Sequence, residues 1–153
     1  MDSLVSNLFK DLSQDAIDCV FGYLKNKEAR VCIDMAEEFF KAEFIEVAIY
    51  CLVCASWRNP NIAGLDRYME AYLIHKLVAS NINFEYGILG VEDCNASVEE
   101  IKKCYKRRAL MFHPDKFHSV AAEGAMKITN ATWELLSDPR KKEEYNKMMG
   151  YAP

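Results

Sequence analysis

His113-Pro114-Asp115-Lys116 is where the residue types and spacing of this chain offer chemistry beyond folding. Proline fixes its own φ and carries no N–H, so a turn built on it is stiff. Here it holds an imidazole and a carboxylate beside each other at an apex. Pro-Asp is also a common turn former in its own right, so the flanks decide its meaning. Before it runs the basic segment Ser97-Val98-Glu99-Glu100-Ile101-Lys102-Lys103-Cys104-Tyr105-Lys106-Arg107-Arg108-Ala109-Leu110-Met111-Phe112. After it, a second helical run closes on Trp133-Glu134-Leu135-Leu136-Ser137-Asp138-Pro139. No nucleophile, base and orienting group can be argued as a set, and the six glycines form no phosphate-cradling cluster. The chemistry on offer is recognition of a partner.

Two helices must position that loop. Ser97 with Glu100 three residues on is a capping box that opens the first. On it Ile101, Tyr105, Ala109 and Phe112 share a face, which Met126, Trp133 and Leu136 of the second can cover. Lys102, Lys103, Lys106 and Arg107 are left outward. Two antiparallel helices joined by a tight loop expose one cationic strip and one loop. Such a strip steers and orients an acidic partner more than it supplies affinity.

Composition agrees with a folded chain that works by binding. At 153 residues it has room for one compact domain or two very small ones. Apolar residues make up 51% and charged residues 27%, enough for a core under a polar surface. The net charge of −4 is uneven: residues 1–85 hold 13 acids and 8 bases, residues 86–153 hold 10 acids and 11 bases. A local basic face on an acidic protein argues for a specific acidic partner over bulk nucleic-acid binding. The longest nearly apolar run, Val47 to Trp57, is short of the roughly 18–20 residues that cross a bilayer. Met1-Asp2-Ser3-Leu4 has no basic start before an apolar stretch, so the expectation is an intracellular protein, cytoplasmic or nuclear.

Apolar spacings of three and four dominate and alternation is absent, which predicts an all-α fold. Ser13 caps a helix reaching to about Leu24. Ala29, Cys32, Ala36, Phe39 and Phe40 form one face of the next helix; Phe44, Ala48, Cys51, Leu52 and Ala55 form a face of the one after, which Asn59-Pro60 ends. A further helix carries Leu65, Tyr68, Met69, Tyr72, Leu73 and Leu77, and polar Ser80-Asn81-Ile82-Asn83 makes a joint. The division expected is an N-terminal helical region over 1–81 and a second domain over 84–149. Ala36, Phe39, Ala48, Leu52, Ala55 and Pro60 make residues 28–60 resemble one tetratricopeptide-type hairpin. Only one copy is present, and such repeats need about three to bury their faces. A helical hairpin capped by a third helix is therefore preferred to a peptide-binding groove. Cys51-x-x-Cys54 falls in an apolar helix with no second pair, so the cysteines read as buried thiols rather than zinc or redox ligands. Trp57 and Trp133 read as core, and His75 and His118 as structural or solvent-exposed.

From Phe84 to about Met149 the chain resembles a J domain, the DnaJ-type co-chaperone module. Tyr86-Gly87-Ile88-Leu89-Gly90-Val91 matches its short first helix, His113-Pro114-Asp115-Lys116 its signature loop, and Arg140-Lys141-Lys142-Glu143-Glu144-Tyr145 its short last helix. The resemblance implies a four-helix module with two long antiparallel helices, following the N-terminal hairpin and capping helix. It implies a DnaK-type heat-shock ATPase as partner, whose ATP hydrolysis the module triggers, with no cofactor, no metal and no enzyme activity in this chain. By the same carry-over, Asp115 engages an arginine of that ATPase and His113 shapes the loop with Pro114 and Lys116. Lys102, Lys103, Lys106 and Arg107 meet its acidic surface, and Tyr105 and Met126 border the contact.

Several positions depart from the pattern. Arg108 stands where an aliphatic core residue is usual, so it snorkels or the packing changes. Thr129 and Thr132 face the core in place of isoleucine and alanine, Met126 replaces phenylalanine, Lys142 arginine and Asn146 aspartate. Asn26 to Arg30, Ala36-Glu37, Ala48, Ala55, the run Leu65 to Ser80, Gly124 to Lys127 and Trp133 are similar to a plant-type DnaJ-like group. The N-terminal helices are then the site for an unknown client or adaptor. The alternative is a helical scaffold whose J-like domain has little ATPase coupling; nucleic-acid binding ranks last, for want of interleaved aromatics and net positive charge. No membrane partner is expected.

Overall fold

The computed structural model describes residues 13–151, so the opening Met1-Asp2-Ser3-Leu4 and the rest of 1–12 lie outside the described residues. Those described form eight helices and no strand: α1 (Gln14–Leu24), α2 (Ala29–Lys41), α3 (Ile45–Arg58), α4 (Leu65–Ala79), α5 (Glu85–Leu89), α6 (Val98–Met111), α7 (Ala122–Leu136) and α8 (Pro139–Met148). They fall into two compact units. One runs to Lys76 and takes in Ser119–Ala121; the other is Leu77–His118 with the chain from Ala122 on. Among the described residues no helix is long and apolar enough to cross a membrane.

In the first unit α2 and α3 pack as an antiparallel hairpin, with α1 laid against α3. Ser13 caps α1, its hydroxyl accepting from the Ala16 N–H at 3.2 Å. Small residues let the hairpin close: Cys32, Ala36, Ala48, Cys51 and Ala55 are all fully buried, with Ile33, Ile49 and Leu52 between them. Two expectations fail here. Phe44 does not join the face of α3; it is 58% exposed. Glu43 takes φ 66, and its N–H and that of Phe44 close back on the carbonyls of Phe40 and Phe39. Phe44 thereby becomes the non-helical residue before α3 and points off its face. Trp57 is also 58% exposed, in the last turn of α3.

The face of α4 is rotated from the expected stripe. Ala71 and Ile74 are buried with Leu65 and Tyr72, while Tyr68, Met69, Leu73 and Leu77 are half-buried. The Phe40 ring stacks on Tyr72 at 4.6 Å between centroids and meets His75 edge-on at 4.9 Å. Glu37 is the polar knot of this unit. Its carboxylate accepts from the buried Tyr72 hydroxyl, from Ser119 Oγ at 2.7 Å and from the Val120 N–H at 2.9 Å. His75 Nε2 sits 3.0 Å from the Ala121 carbonyl, which makes it structural.

The second unit is a small helical bundle. α7 packs on α5, α6 and α8. Its core gathers Tyr86, Leu89, Val91, Ile101, Leu136 and Tyr145. Ser97 and Glu100 complete the capping box that opens α6: the serine hydroxyl accepts from the Glu100 N–H and the Glu100 carboxylate from the Ser97 N–H. Asp138 caps α8 through the N–H groups of Arg140 and Lys141, with Pro139 at the first helical position. Tyr86 donates to Asn146 Oδ1 at 2.6 Å, so asparagine serves where an aspartate was the expected type.

Arg108 is the largest departure. It does not snorkel: only 6% of it is exposed. Its Nε–H donates to the Ile88 carbonyl at 3.1 Å, and Nη1 lies 3.6 Å from Met111 Sδ. The guanidinium thus satisfies a carbonyl near the C-terminal end of α5, where a cation also meets the negative end of the helix. Gly90 makes room for it. It ends α5 at φ 76, and a Cβ there would lie 2.7 Å from Arg107 Nη2 and 3.2 Å from Arg108 Nη2. Thr129 and Thr132 are buried but satisfied, donating to the Ala125 carbonyl and to Glu85.

Two substitutions test these polar contacts by urea denaturation followed by circular dichroism. Arg108→Ala leaves a cavity and an orphaned carbonyl and should cost about 2 kcal/mol, while Arg108→Met, which keeps the volume, should cost less. Glu37→Ala strands the buried Tyr72 hydroxyl and should cost about 1–3 kcal/mol; Tyr72→Phe, which removes the hydroxyl itself, should cost less.

Candidate functional site

Phe112 and Phe117 are both buried, at 0% and 4% exposure, with ring centroids 6.4 Å apart. They bury both ends of the His113–Lys116 turn. Between them the backbone closes on one acceptor: the N–H groups of Lys116 and Phe117 both donate to the His113 carbonyl at 2.9 Å. With Pro114 fixing one dihedral, little freedom is left at the apex. His113 lends its ring to the same purpose. Its Nδ1 accepts from the Asp115 N–H at 3.2 Å, which sets the tautomer with Nε2–H outward. The Asp115 carboxylate is displayed: its side chain is 87% exposed, with one oxygen 3.7 Å from His113 Nδ1.

The strip on α6 lies as expected. Lys102, Lys103, Lys106 and Arg107 are all exposed. Among the described residues none of the four is in an ion pair, so the strip is not neutralised from within. Tyr105 and Met126 are half-buried. Tyr105 stacks on Trp133 at 4.9 Å and donates to Asn130 Oδ1 at 3.0 Å, which locks α6 to α7 beside the strip. Trp133 is therefore a half-buried brace rather than core. Pro114 and Lys116 are exposed, and so is His118 beyond them.

Two residues of the site escape the sequence reading. Leu110 is 59% exposed, one turn beyond Lys106 and Arg107 on the same strip, and it gives the cationic surface an apolar end next to the loop. A leucine three and four places after charged residues on a polar face is the signal that finds it. Phe117 is the second anchor of the loop, marked only as the first aromatic after Lys116.

The arrangement is a rigid loop presenting an anion, flanked by a fixed row of cations, which suits reading a charged surface.

The comparisons agree on where this module lies. The family model described as "DnaJ domain" matches residues 85–146. DnaJ homolog subfamily C member 14 of Mus musculus is 47% identical over 60 residues, which is 39% of this chain and 8% of that protein. DnaJ homolog subfamily B member 12 of Homo sapiens is 46% identical over 61 residues, 40% of this chain and 16% of that one. Chaperone protein DnaJ of Shouchella clausii (strain KSM-K16) is 45% identical over 67 residues, 44% of this chain and 18% of that one. The chain thus spans less than a fifth of the length of each. No solved structure gives a significant match. Helix, pinned His-Pro-Asp loop, cationic α6 and matched span all fall in one stretch: residues 85–146 of this chain are a DnaJ domain.

Proposed function

We propose that this chain is a co-chaperone whose DnaJ domain docks on a DnaK-type heat-shock ATPase and stimulates its ATP hydrolysis, while the N-terminal helices recruit that ATPase to a client or adaptor. The single observation that carries the reading is the displayed Asp115 carboxylate on a loop whose backbone is tied down. A contact that pre-ordered binds without further ordering of its backbone. The un-neutralised strip of Lys102, Lys103, Lys106 and Arg107 supports an acidic docking surface on the ATPase. The names of the relatives, DnaJ homologues and a chaperone protein DnaJ, support the same partner class.

In this reading the chain makes and breaks no bond. It is a ligand that binds the hydrolysis-competent state of the ATPase better than the resting one, and it shifts that equilibrium by its difference in affinity. His113 acts through the turn, holding Asp115 in place, and Asp115 makes the contact. The work is done in the cytoplasm or nucleus, and the N-terminal helices belong with the plant-type group they resemble. The scaffold reading, in which the domain no longer couples to an ATPase, draws on the altered core positions; Arg108, Thr129 and Thr132 are buried with hydrogen bonds made, which weakens that alternative.

Single-turnover ATP hydrolysis by a DnaK-type chaperone tests the proposal. The native chain should accelerate the turnover, and His113→Gln should lose at least about tenfold of that acceleration with unchanged helical content. No acceleration of several such ATPases by folded protein would sink the reading. Reversing the strip with Lys102→Glu and Lys106→Glu should slow association about tenfold at low salt and flatten its salt dependence, read by stopped-flow fluorescence.

A further inference from the structure

The first unit is acidic, yet four of the eight bases in residues 1–85 gather at one end of it. Lys25 ends α1, Arg58 is in the last turn of α3, and Lys27 and Arg30 bracket the start of α2. Cations at the ends of α1 and α3 complement the helix dipole, but Lys27 and Arg30 stand at a helix N-terminus, where it opposes them. Helix electrostatics therefore does not account for the cluster. Among the described residues Lys25, Lys27 and Arg58 enter no ion pair, whereas Lys41 and Lys76 of the same unit are paired with Glu38 and Glu46. Among the described residues that line the hollow beside Lys27, Arg30 and Arg58, Glu28 is the one acid.

Between these cations is a hollow of about 230 Å³ lined by Phe21, Leu24, Lys25, Cys54, Trp57 and Arg58. Its floor is apolar and closed: Leu24 is 1% exposed and Cys54 4%. Burial raises the Cys54 thiol to about 11, so the floor is neutral at physiological pH. Its walls are aromatic and unusually open, with Phe21 43% and Trp57 58% exposed. Arg58 also lines a second hollow, of about 470 Å³, with Lys27 and Arg30. The first is smaller than the ~300–1,000 Å³ of pockets that enclose small molecules. It is the size for one bulky side chain, and the cations beside it are placed for carboxylates next to that side chain. Exposed tryptophan and arginine are the types that dominate interface energetics.

We propose that this end of the α1–α3 unit binds an acidic peptide segment, seating one aromatic or large aliphatic side chain between Phe21 and Trp57 while its carboxylates meet Lys25, Arg58, Lys27 and Arg30. The proposal deepens the recruiting role given above to the N-terminal helices and rests on it for its biological meaning. A single-stranded nucleic acid also likes aromatics among cations. The net acidity of the unit and a hollow shaped for a side chain, rather than an open platform for stacked bases, favour the peptide.

Fluorescence anisotropy on the full chain tests this at about 50 mM salt, where exposed charges act over the longest range. The probe is a fluorescein-labelled decapeptide of aspartates and glutamates around one central phenylalanine. It should bind saturably with micromolar affinity, and replacing its phenylalanine with alanine, or its acids with lysines, should weaken binding at least about tenfold. Trp57→Ala and Arg58→Glu should do the same with unchanged circular dichroism; Lys25→Glu is the third variant should either of these unfold. No saturable binding, or binding that none of the three variants alters, overturns the proposal. Tighter binding of a labelled oligothymidylate that the same variants abolish also overturns it and assigns the surface to nucleic acid. Binding that appears only once residues 1–12 are deleted overturns it in favour of the chain's own N-terminal segment as occupant. Because no ATPase is present and His113→Gln should bind the probe like the native chain, failure here is separate from failure of the co-chaperone reading.

Discussion

Phe112 and Phe117 stand five residues apart, both buried, and every side chain between them is exposed. The functional site depends on this constraint. Burying an aromatic side chain is worth roughly 1.5–3 kcal/mol, so each end of the turn is held by a term comparable to a sizeable share of a small domain's stability. The four residues in between are exposed. Their shape comes from the two anchors, from the proline ring and from the His113 carbonyl, which accepts from both Lys116 and Phe117. Hence the loop can present an exposed carboxylate without being loose. A residue with 87% of its side chain in water is usually free to roam; Asp115 has a fixed backbone and an imidazole against its own N–H.

The charges of α6 divide by the same logic of burial. Lys102, Lys103, Lys106 and Arg107 are in water, where a cation adds little to stability and its field is screened within about 10 Å at ordinary salt. They are free to be selected for a partner. Arg108, the next residue along, is inside, where an unpaired charge would be prohibitive and each N–H needs an acceptor. It finds the Ile88 carbonyl at the end of α5. One helix thus carries a row of cations that leave the fold alone and one cation that the fold needs. The Arg108 position also explains Gly90: with the guanidinium groups of Arg107 and Arg108 within 3.2 Å of where a Cβ would be, the close approach and the positive φ both ask for glycine.

Most of this was legible because it depends on local rules. Ser13 and Ser97 mark helix starts whatever surrounds them, and three-and-four spacing names the small-residue face of α2. The failures lie where the answer depends on a neighbour. Periodicity put Phe44 on the face of α3, but the left-handed Glu43 ends α2 abruptly and leaves Phe44 outside the next helix. It put Trp57 in the core because tryptophan is large and apolar, yet it cannot say how far the covering helices extend. In α4 the aromatic residues drew attention to one stripe, while the small Ala71 and the aliphatic Ile74 form the buried seam with Tyr72. For Arg108 the sequence leaves two courses, snorkelling or altered packing; the second holds, and the carbonyl that accepts from it is twenty residues away in sequence.

The cysteines of the first unit show how burial decides chemical character. Cys32, Cys51 and Cys54 sit among small residues at the α2–α3 seam, none more than 4% exposed. Loss of water disfavours the thiolate, and neighbouring thiols add to the effect, so Cys51 is pushed up to about 12 and Cys54 to about 11. Arg58 pulls Cys54 the other way, but more weakly than burial raises it. The thiolate is the nucleophile, and at physiological pH these groups hold almost none of it. They act as small, polarisable hydrophobes that let two helices approach closely. A spacing that on paper suits a metal or a disulfide is here a packing device, and the Cys51-x-x-Cys54 turn of α3 offers its surface shape and apolarity rather than reactivity.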